Sequence, residues 1–161
     1  METKVPLHIF IVENCRLFVK LIDYIFSKNI SFRFLDFQCG EDCLKNLHIN
    51  PDLIILDYSL PGMNGYETLL EIKEQLPAAY VIILLSEEDK KLPAEFLNAG
   101  ATDYVIKDGS EEKKVIDKIE DFIKNKEEEQ QKRKSRRPWL KRKLYLALLI
   151  LIILSISAYY Y

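Results

Sequence analysis

The sequence predicts an α/β fold built on a five-stranded parallel sheet with helices on both faces. Three observations carry this. Short apolar runs recur five times along the chain, and each is followed by a segment suited to a helix. Two of the runs, Leu53-Ile54-Ile55-Leu56 and Tyr80-Val81-Ile82-Ile83-Leu84-Leu85, are apolar throughout, as strands buried on both faces are. Four of the runs end in polar residues, Glu13-Asn14, Asp57, Ser86 and Lys107, at what becomes a single edge once the strands lie parallel.

The elements follow in order. Leu7-His8-Ile9-Phe10-Ile11-Val12 is short, β-branched and aromatic, hence a first strand. Leu17, Phe18, Leu21, Ile22, Ile25 and Phe26 then return at helical spacing and predict an amphipathic helix from about Cys15 to Lys28, with all six on its apolar side. Phe32, Phe34 and Phe37, with Leu35 between, mark a second strand, and Glu41 to Leu47 a short second helix. Leu53 to Asp57 is the third strand, bounded by Pro51 and Pro61-Gly62. Tyr66 to Leu76 reads as a third helix with Leu69, Leu70 and Ile72 on its apolar side. Tyr80 to Leu85 is the fourth strand; a helix from about Lys90 to Asn98 stops at Gly100. Asp103-Tyr104-Val105-Ile106 is the fifth strand. A long helix starts near Ser110, with Val115, Ile116, Ile119, Phe122 and Ile123 on its buried side.

The net charge of −2 hides a segregation. Residues 1–125 hold 14 Lys/Arg against 22 Asp/Glu, whereas residues 126–143 hold 9 against 3. The chain thus reads as an acidic domain (1–125), a basic linker (126–143) and an apolar tail (144–161). The tail has eighteen residues and no Asp, Glu, Lys, Arg or His. As a helix it spans roughly 27 Å, close to a bilayer core. Trp139 stands at one end and Tyr159, Tyr160 and Tyr161 at the other, as interfacial aromatics do. Seven basic residues between Arg133 and Lys143 flank one end alone, which predicts that this end is cytoplasmic. The expectation is a single-pass anchor in the cytoplasmic membrane with the domain on the cytoplasmic side. The basic run is then read as contacting anionic lipid rather than nucleic acid. No secretory signal peptide is expected at the start, since the run from Leu7 ends at Glu13 after six residues. Cys15, Cys39 and Cys43 lack ligand spacing with His or one another and read as free thiols.

With strand order 2-1-3-4-5, the ends of strands one, three, four and five are neighbours and form one pocket. Glu13, Asp57 and the amide oxygen of Asn14 suit a hard divalent cation such as Mg²⁺, which takes few protein oxygens and keeps several waters. Ser86 and Lys107 add a hydroxyl and a point charge able to grip a phosphoryl group. Together they describe phosphoryl transfer onto a carboxylate. Asp57 as a mere cap of the following helix is the alternative.

Four pieces in this order carry a family resemblance: Ile11-Val12-Glu13-Asn14, Leu56-Asp57-Tyr58-Ser59-Leu60-Pro61-Gly62-Met63-Asn64-Gly65, Leu84-Leu85-Ser86, and Ala99-Gly100-Ala101-Thr102-Asp103-Tyr104-Val105-Ile106-Lys107. Over about Leu7 to Lys124 the chain resembles the response-regulator receiver domain of two-component systems. The resemblance implies the flavodoxin-like (βα)5 receiver fold and a signalling protein rather than an enzyme. It implies Asp57 as phosphoacceptor from a sensor histidine kinase or phosphotransfer protein. It also implies Glu13, Asn14, Asp57 and the backbone carbonyl of Ser59 around Mg²⁺, Ser86 and Tyr104 as the switch pair, and Lys107 on the phosphoryl oxygens. Three residues depart from the family's usual pattern. Asn14 replaces a second acid, which is expected to lower Mg²⁺ affinity. Glu87 replaces a small residue, and Asp108 a frequent proline. The expectation is a membrane-anchored single-domain response regulator whose output is contact with a downstream membrane or cytoplasmic protein, with no nucleic acid bound. The alternative is a non-phosphorylated receiver-like scaffold tethered to the membrane.

Overall fold

The computed structural model describes residues 6–27, 32–87, 92–132 and 145. Five strands, β1 (Leu7–Val12), β2 (Phe32–Phe37), β3 (Leu53–Asp57), β4 (Tyr80–Ser86) and β5 (Asp103–Lys107), pair in parallel in the order β2-β1-β3-β4-β5. This is the order the sequence predicts. The chain leaves β1 toward β2 on one side and returns to β3 on the other, so the carboxyl ends of β1 and β3 flank the crevice where such sheets bind ligands.

Alternation along the strands divides the core. Phe10 and Val12, Ile54 and Leu56, and Val81, Ile83 and Leu85 face one side, where they meet Cys43, Leu69, Ile72 and Phe96. Cys43 lies on α2 (Gly40–Lys45), Leu69 and Ile72 on α3 (Gly65–Gln75), and Phe96 on α4 (Pro93–Asn98). Ile9, Ile11, Ile55, Ile82 and Leu84 face the other side and are fully buried. There α1 (Arg16–Phe26) sets Phe26 against Phe32 and Phe34 of β2, with ring centroids 5.5 and 5.6 Å apart.

Two apolar helix faces are only partly covered. On α1 only Phe18, Ile22 and Phe26 are buried; Leu17, Leu21 and Ile25 are exposed, as is Tyr24. The apolar arc of α1 is wider than the strip a single sheet face can cover, so half of it stays in water. Leu70 of α3 is likewise exposed, while Leu69 and Ile72 are buried. Helix α2 ends at Lys45 and a 3-10 turn, Leu47–Ile49, completes the connection. The expected starts and ends of two helices, at Lys28 and at Lys90, fall outside the described residues.

After β5 the chain is helical over residues 111–132 (α5), with Val115, Ile119 and Phe122 buried and Ile116 and Ile123 half-buried. Two compact units part within this helix, Met1–Ile116 and Asp117–Tyr161. In the second, Lys126 lies 5.5 Å over the Phe122 ring, and Glu128 and Lys132 pair across one turn at 3.8 Å. Among the described residues no helix is long and apolar enough to cross a membrane. The apolar run 144–161 lies outside them, apart from Tyr145, and so does 133–143 of the basic linker.

Candidate functional site

The strand register brings the predicted residues to one edge. Val12 pairs with Leu56, so Glu13 and Asp57 are the next residues on adjacent strands. Asp57 pairs with Leu84, two residues before Ser86, and Ser86 pairs with Lys107. A continuous apolar strand thus delivers a carboxylate into the crevice, and Asp57 is nine-tenths or more buried there. It caps no helix: α3 begins at Gly65 behind Asn64, whose side chain accepts from Glu67 N–H while the Glu67 carboxylate accepts from Asn64 N–H, both at 3.0 Å.

Lys107 holds the pocket together. Its Nζ lies 2.8 Å from Glu13 Oε2 and 2.9 Å from Asp57 Oδ1. The Glu13 and Asp57 side chains are 1% and 4% exposed and that of Lys107 26%, so two buried carboxylates share one partly buried ammonium. Burial pushes the Asp57 carboxyl above the usual carboxylate range and the neighbouring Glu13 charge adds to this, while Lys107 and the Ser59 N–H oppose it. Burial also works against the Lys107 ammonium, but the bonds and charges of Glu13 and Asp57 outweigh it and raise its pKa.

The second Glu13 oxygen, Oε1, accepts the Cys15 N–H at 2.9 Å, which turns the chain into α1 and fixes the carboxylate. Asn14 and Ser59 are exposed beside this pair, Ser86 is half-buried, and Glu87 is exposed. Tyr104 sits further back, opposite Ile83, half-buried and packed against the core on the face of α2, α3 and α4. The same layer holds an aromatic set the sequence did not announce: Phe96 meets Tyr58 at 5.5 Å and Tyr66 at 5.4 Å, both edge to face.

Backbone packing beside the acid is tight. Gly65 N–H donates to Tyr58 C=O at 2.9 Å, and a Cβ on Gly65 would fall 2.3 Å from the Asp57 carbonyl oxygen. Only glycine lets α3 start this close to the strand end. Glu41, on α2, also reaches this loop: its Oε1 accepts the Met63 N–H at 3.0 Å. The sequence singled out neither contact, because each depends on a partner brought up by the fold.

Glu13 and Asp57 already sit on a cation, the Lys107 ammonium, at hydrogen-bond distance from both. Carboxylate oxygens of this kind are the donors a hard divalent ion takes. The set is poor in charge: among the described residues no group of three or more His, Cys, Asp or Glu is placed to hold a metal.

Residues 9–120 match the response regulator receiver domain family. The chain is 32% identical over 79 residues to the response regulator GacA of Pseudomonas aeruginosa, covering 48% of this chain and 37% of that one. It is 33% identical over 83 residues to the response regulator UvrY of Escherichia coli K12, covering 51% and 38%. The chain thus spans about two fifths of the length of these curated relatives. Among solved structures, the BeF3-activated DrrB receiver domain superposes with a TM-score of 0.64 at 27% identity, covering 74% of this chain and 99% of that one. Receiver domains bind Mg²⁺ generally and interact with histidine kinases or phosphotransfer partners, and response regulators related to GacA and UvrY are signalling proteins rather than enzymes. The chain belongs to the response regulator receiver domain family of two-component signalling.

Proposed function

We propose that the chain accepts a phosphoryl group on Asp57 from a histidine kinase or phosphotransfer partner and signals by altered protein contacts. The observation that carries this reading is the buried carboxylate at the end of β3, held 2.9 Å from Lys107 in a crevice it shares with Glu13. An Asp57 oxygen attacks phosphorus, the bond from phosphorus to the donor nitrogen breaks, and its electron pair leaves with the donor imidazole. Lys107 stands where it can follow the charge from the free carboxylate to the phosphoryl oxygens. Ser86, its register partner, supplies a hydroxyl at the same edge. Tyr104 then repacks against the core, and the faces of α4, β5 and α5 change. Bound Mg²⁺ would be held by Glu13, Asp57, the Asn14 amide oxygen and the Ser59 carbonyl, and would supply charge compensation to the phosphoryl group.

The exposed sector of α1 supports a helical donor. Leu17 and Tyr24 are 80% and 76% exposed, and the helix begins three residues after Glu13. An apolar patch beside the pocket suits a helix that presents its histidine there.

The reading includes a tether. The apolar run 144–161 and the basic residues before it support a single-pass anchor in the cytoplasmic membrane with the receiver domain on the cytoplasmic side, facing a membrane or cytoplasmic target. A reporter fused after Tyr161 is then non-cytoplasmic and the full chain needs detergent. A cytoplasmic reporter contradicts the tether.

A second reading, a receiver-like scaffold that is not phosphorylated, is favoured by Asn14 in place of an acid and by Glu87 at the pocket rim. Incubation with acetyl phosphate and Mg²⁺ separates the two. The switch predicts a mass gain of one phosphoryl group that Asp57→Asn abolishes. No gain at high Mg²⁺, and none in Asn14→Asp, supports the scaffold.

A further inference from the structure

The loop that carries the chain away from Asp57, residues 58–64, is pinned by its backbone at its base. Tyr58 N–H donates to Leu84 C=O at 3.0 Å, and Gly65 N–H donates to Tyr58 C=O at 2.9 Å. Its far side is held differently. Met63 N–H donates at 3.0 Å to Glu41 Oε1, a side chain that arrives from α2, 22 residues earlier. The same oxygen lies 2.6 Å from where a Cβ on Gly62 would stand, and Gly62 has φ +77°. The carboxylate therefore occupies the space that a side chain at position 62 would need, against a turn that only glycine adopts without strain.

Glu41 is half-buried. Its Oε2 is buried and accepts no hydrogen bond among the described residues, an arrangement that costs stability and calls for a compensating role. Its own N–H and that of Met63 hold its carboxyl below the usual carboxylate range, so the bond to Met63 is charge-assisted at neutral pH. At the other end of the loop, Tyr58 follows Asp57 directly and its C=O accepts the Gly65 N–H at 2.9 Å. Loop order at Met63 and carboxylate geometry at Asp57 are thus joined through five residues of chain.

We propose that Glu41 is a positioning residue for Asp57: by gripping Met63 N–H it fixes the 58–64 loop, and with it the backbone that leaves the phosphoacceptor. The proposal rests on the phosphoacceptor reading of Asp57. Glu41 touches neither the donor nor the reacting oxygen, so its effect is on rate through geometry rather than on donor binding.

The test uses the full chain in mild detergent and compares wild type with Glu41→Ala and Glu41→Gln. In Glu41→Ala, amide exchange at Ser59 and Met63 rises about tenfold while exchange at Ile11 and Ile55 is unchanged. The maximal rate of phosphorylation by acetyl phosphate falls about tenfold with the half-saturating donor concentration unchanged. Glu41→Gln keeps an acceptor oxygen and recovers most of both. Unchanged exchange at Met63 in Glu41→Ala overturns the proposal. So does faster loop exchange with an unchanged phosphorylation rate, and so does exchange raised throughout the sheet, which marks a general loss of stability. A wild-type chain that takes no phosphoryl group overturns the phosphoacceptor reading instead; exchange at Met63 then decides the loop clamp alone.

Discussion

Asp57 and Asp108 each pair with a lysine at the carboxyl edge of the sheet. Asp57 is 4% exposed, shares Lys107 with a second buried acid, and has its carboxyl pushed up by burial and by Glu13. Asp108, one residue beyond β5, is 36% exposed and meets Lys114 together with the Ser110 N–H and hydroxyl. Those donors, Lys114 first, push its carboxyl down to about 2. The same two residue types therefore make opposite devices. The exposed pair closes the turn into α5 and relaxes nothing when it breaks, because water replaces the partner. The buried pair keeps one carboxylate more than its single ammonium can neutralise, and that surplus is what a bound cation can relieve.

The largest expected effect follows from removing the surplus. Asp57→Asn abolishes phosphoryl acceptance, read as intact mass. It also raises the melting temperature at neutral pH by a few degrees, because Lys107 then neutralises Glu13 alone. A fall in melting temperature would contradict the like-charge account of the pocket. Removing the ammonium instead leaves two buried carboxylates facing one another. Lys107→Met is expected to cost about 3–5 kcal/mol in urea unfolding, the usual cost of breaking a buried pair.

Smaller effects probe the surroundings. Gly65→Ala forces a Cβ to within 2.3 Å of the Asp57 carbonyl and is expected to cost about 1–3 kcal/mol and to slow phosphorylation. Asn14→Asp adds the missing charge and is expected to tighten Mg²⁺ binding about tenfold by calorimetry, since one more anionic oxygen is worth on the order of 1.4 kcal/mol at a partly solvated site. Asp108→Asn is the smallest. Its folded pKa lies below the unfolded one, so Asp108 contributes stability above the ordinary carboxylate range, and this is lost as pH falls toward about 2. The difference in urea midpoint between Asp108→Asn and wild type is therefore slight at pH 7 and shrinks at pH 3. A midpoint that drops as far as in Lys107→Met would erase the distinction between the two pairs.

The same contrast explains what was legible in the sequence. Strand runs such as Ile54-Ile55-Leu56 announce themselves by composition, and the acids at their ends follow from parallel order, so Glu13, Asp57, Ser86 and Lys107 come to one edge as expected. For α1 the side-chain period gave the helix and its apolar face but not its burial, because spacing reports which residues share a face and not how much sheet there is to cover them; Leu17 and Leu21 stay exposed. Glu41 carried no local signal at all. Its partner is 22 residues away, and only the approach of α2 to the 58–64 loop makes it more than another acid in a helix. Tyr58 likewise reads as a strand-end aromatic until Phe96 arrives beside it from α4.

The central claim is that the buried acid at the end of β3 is the phosphoacceptor, and locating the phosphoryl group tests it most directly. The full chain, treated with acetyl phosphate and Mg²⁺ and then digested, is predicted to carry one phosphoryl group, on the peptide containing Asp57, with none in Asp57→Asn. A chain that stays unmodified in both wild type and Asn14→Asp, or that carries the group on another residue, would contradict it.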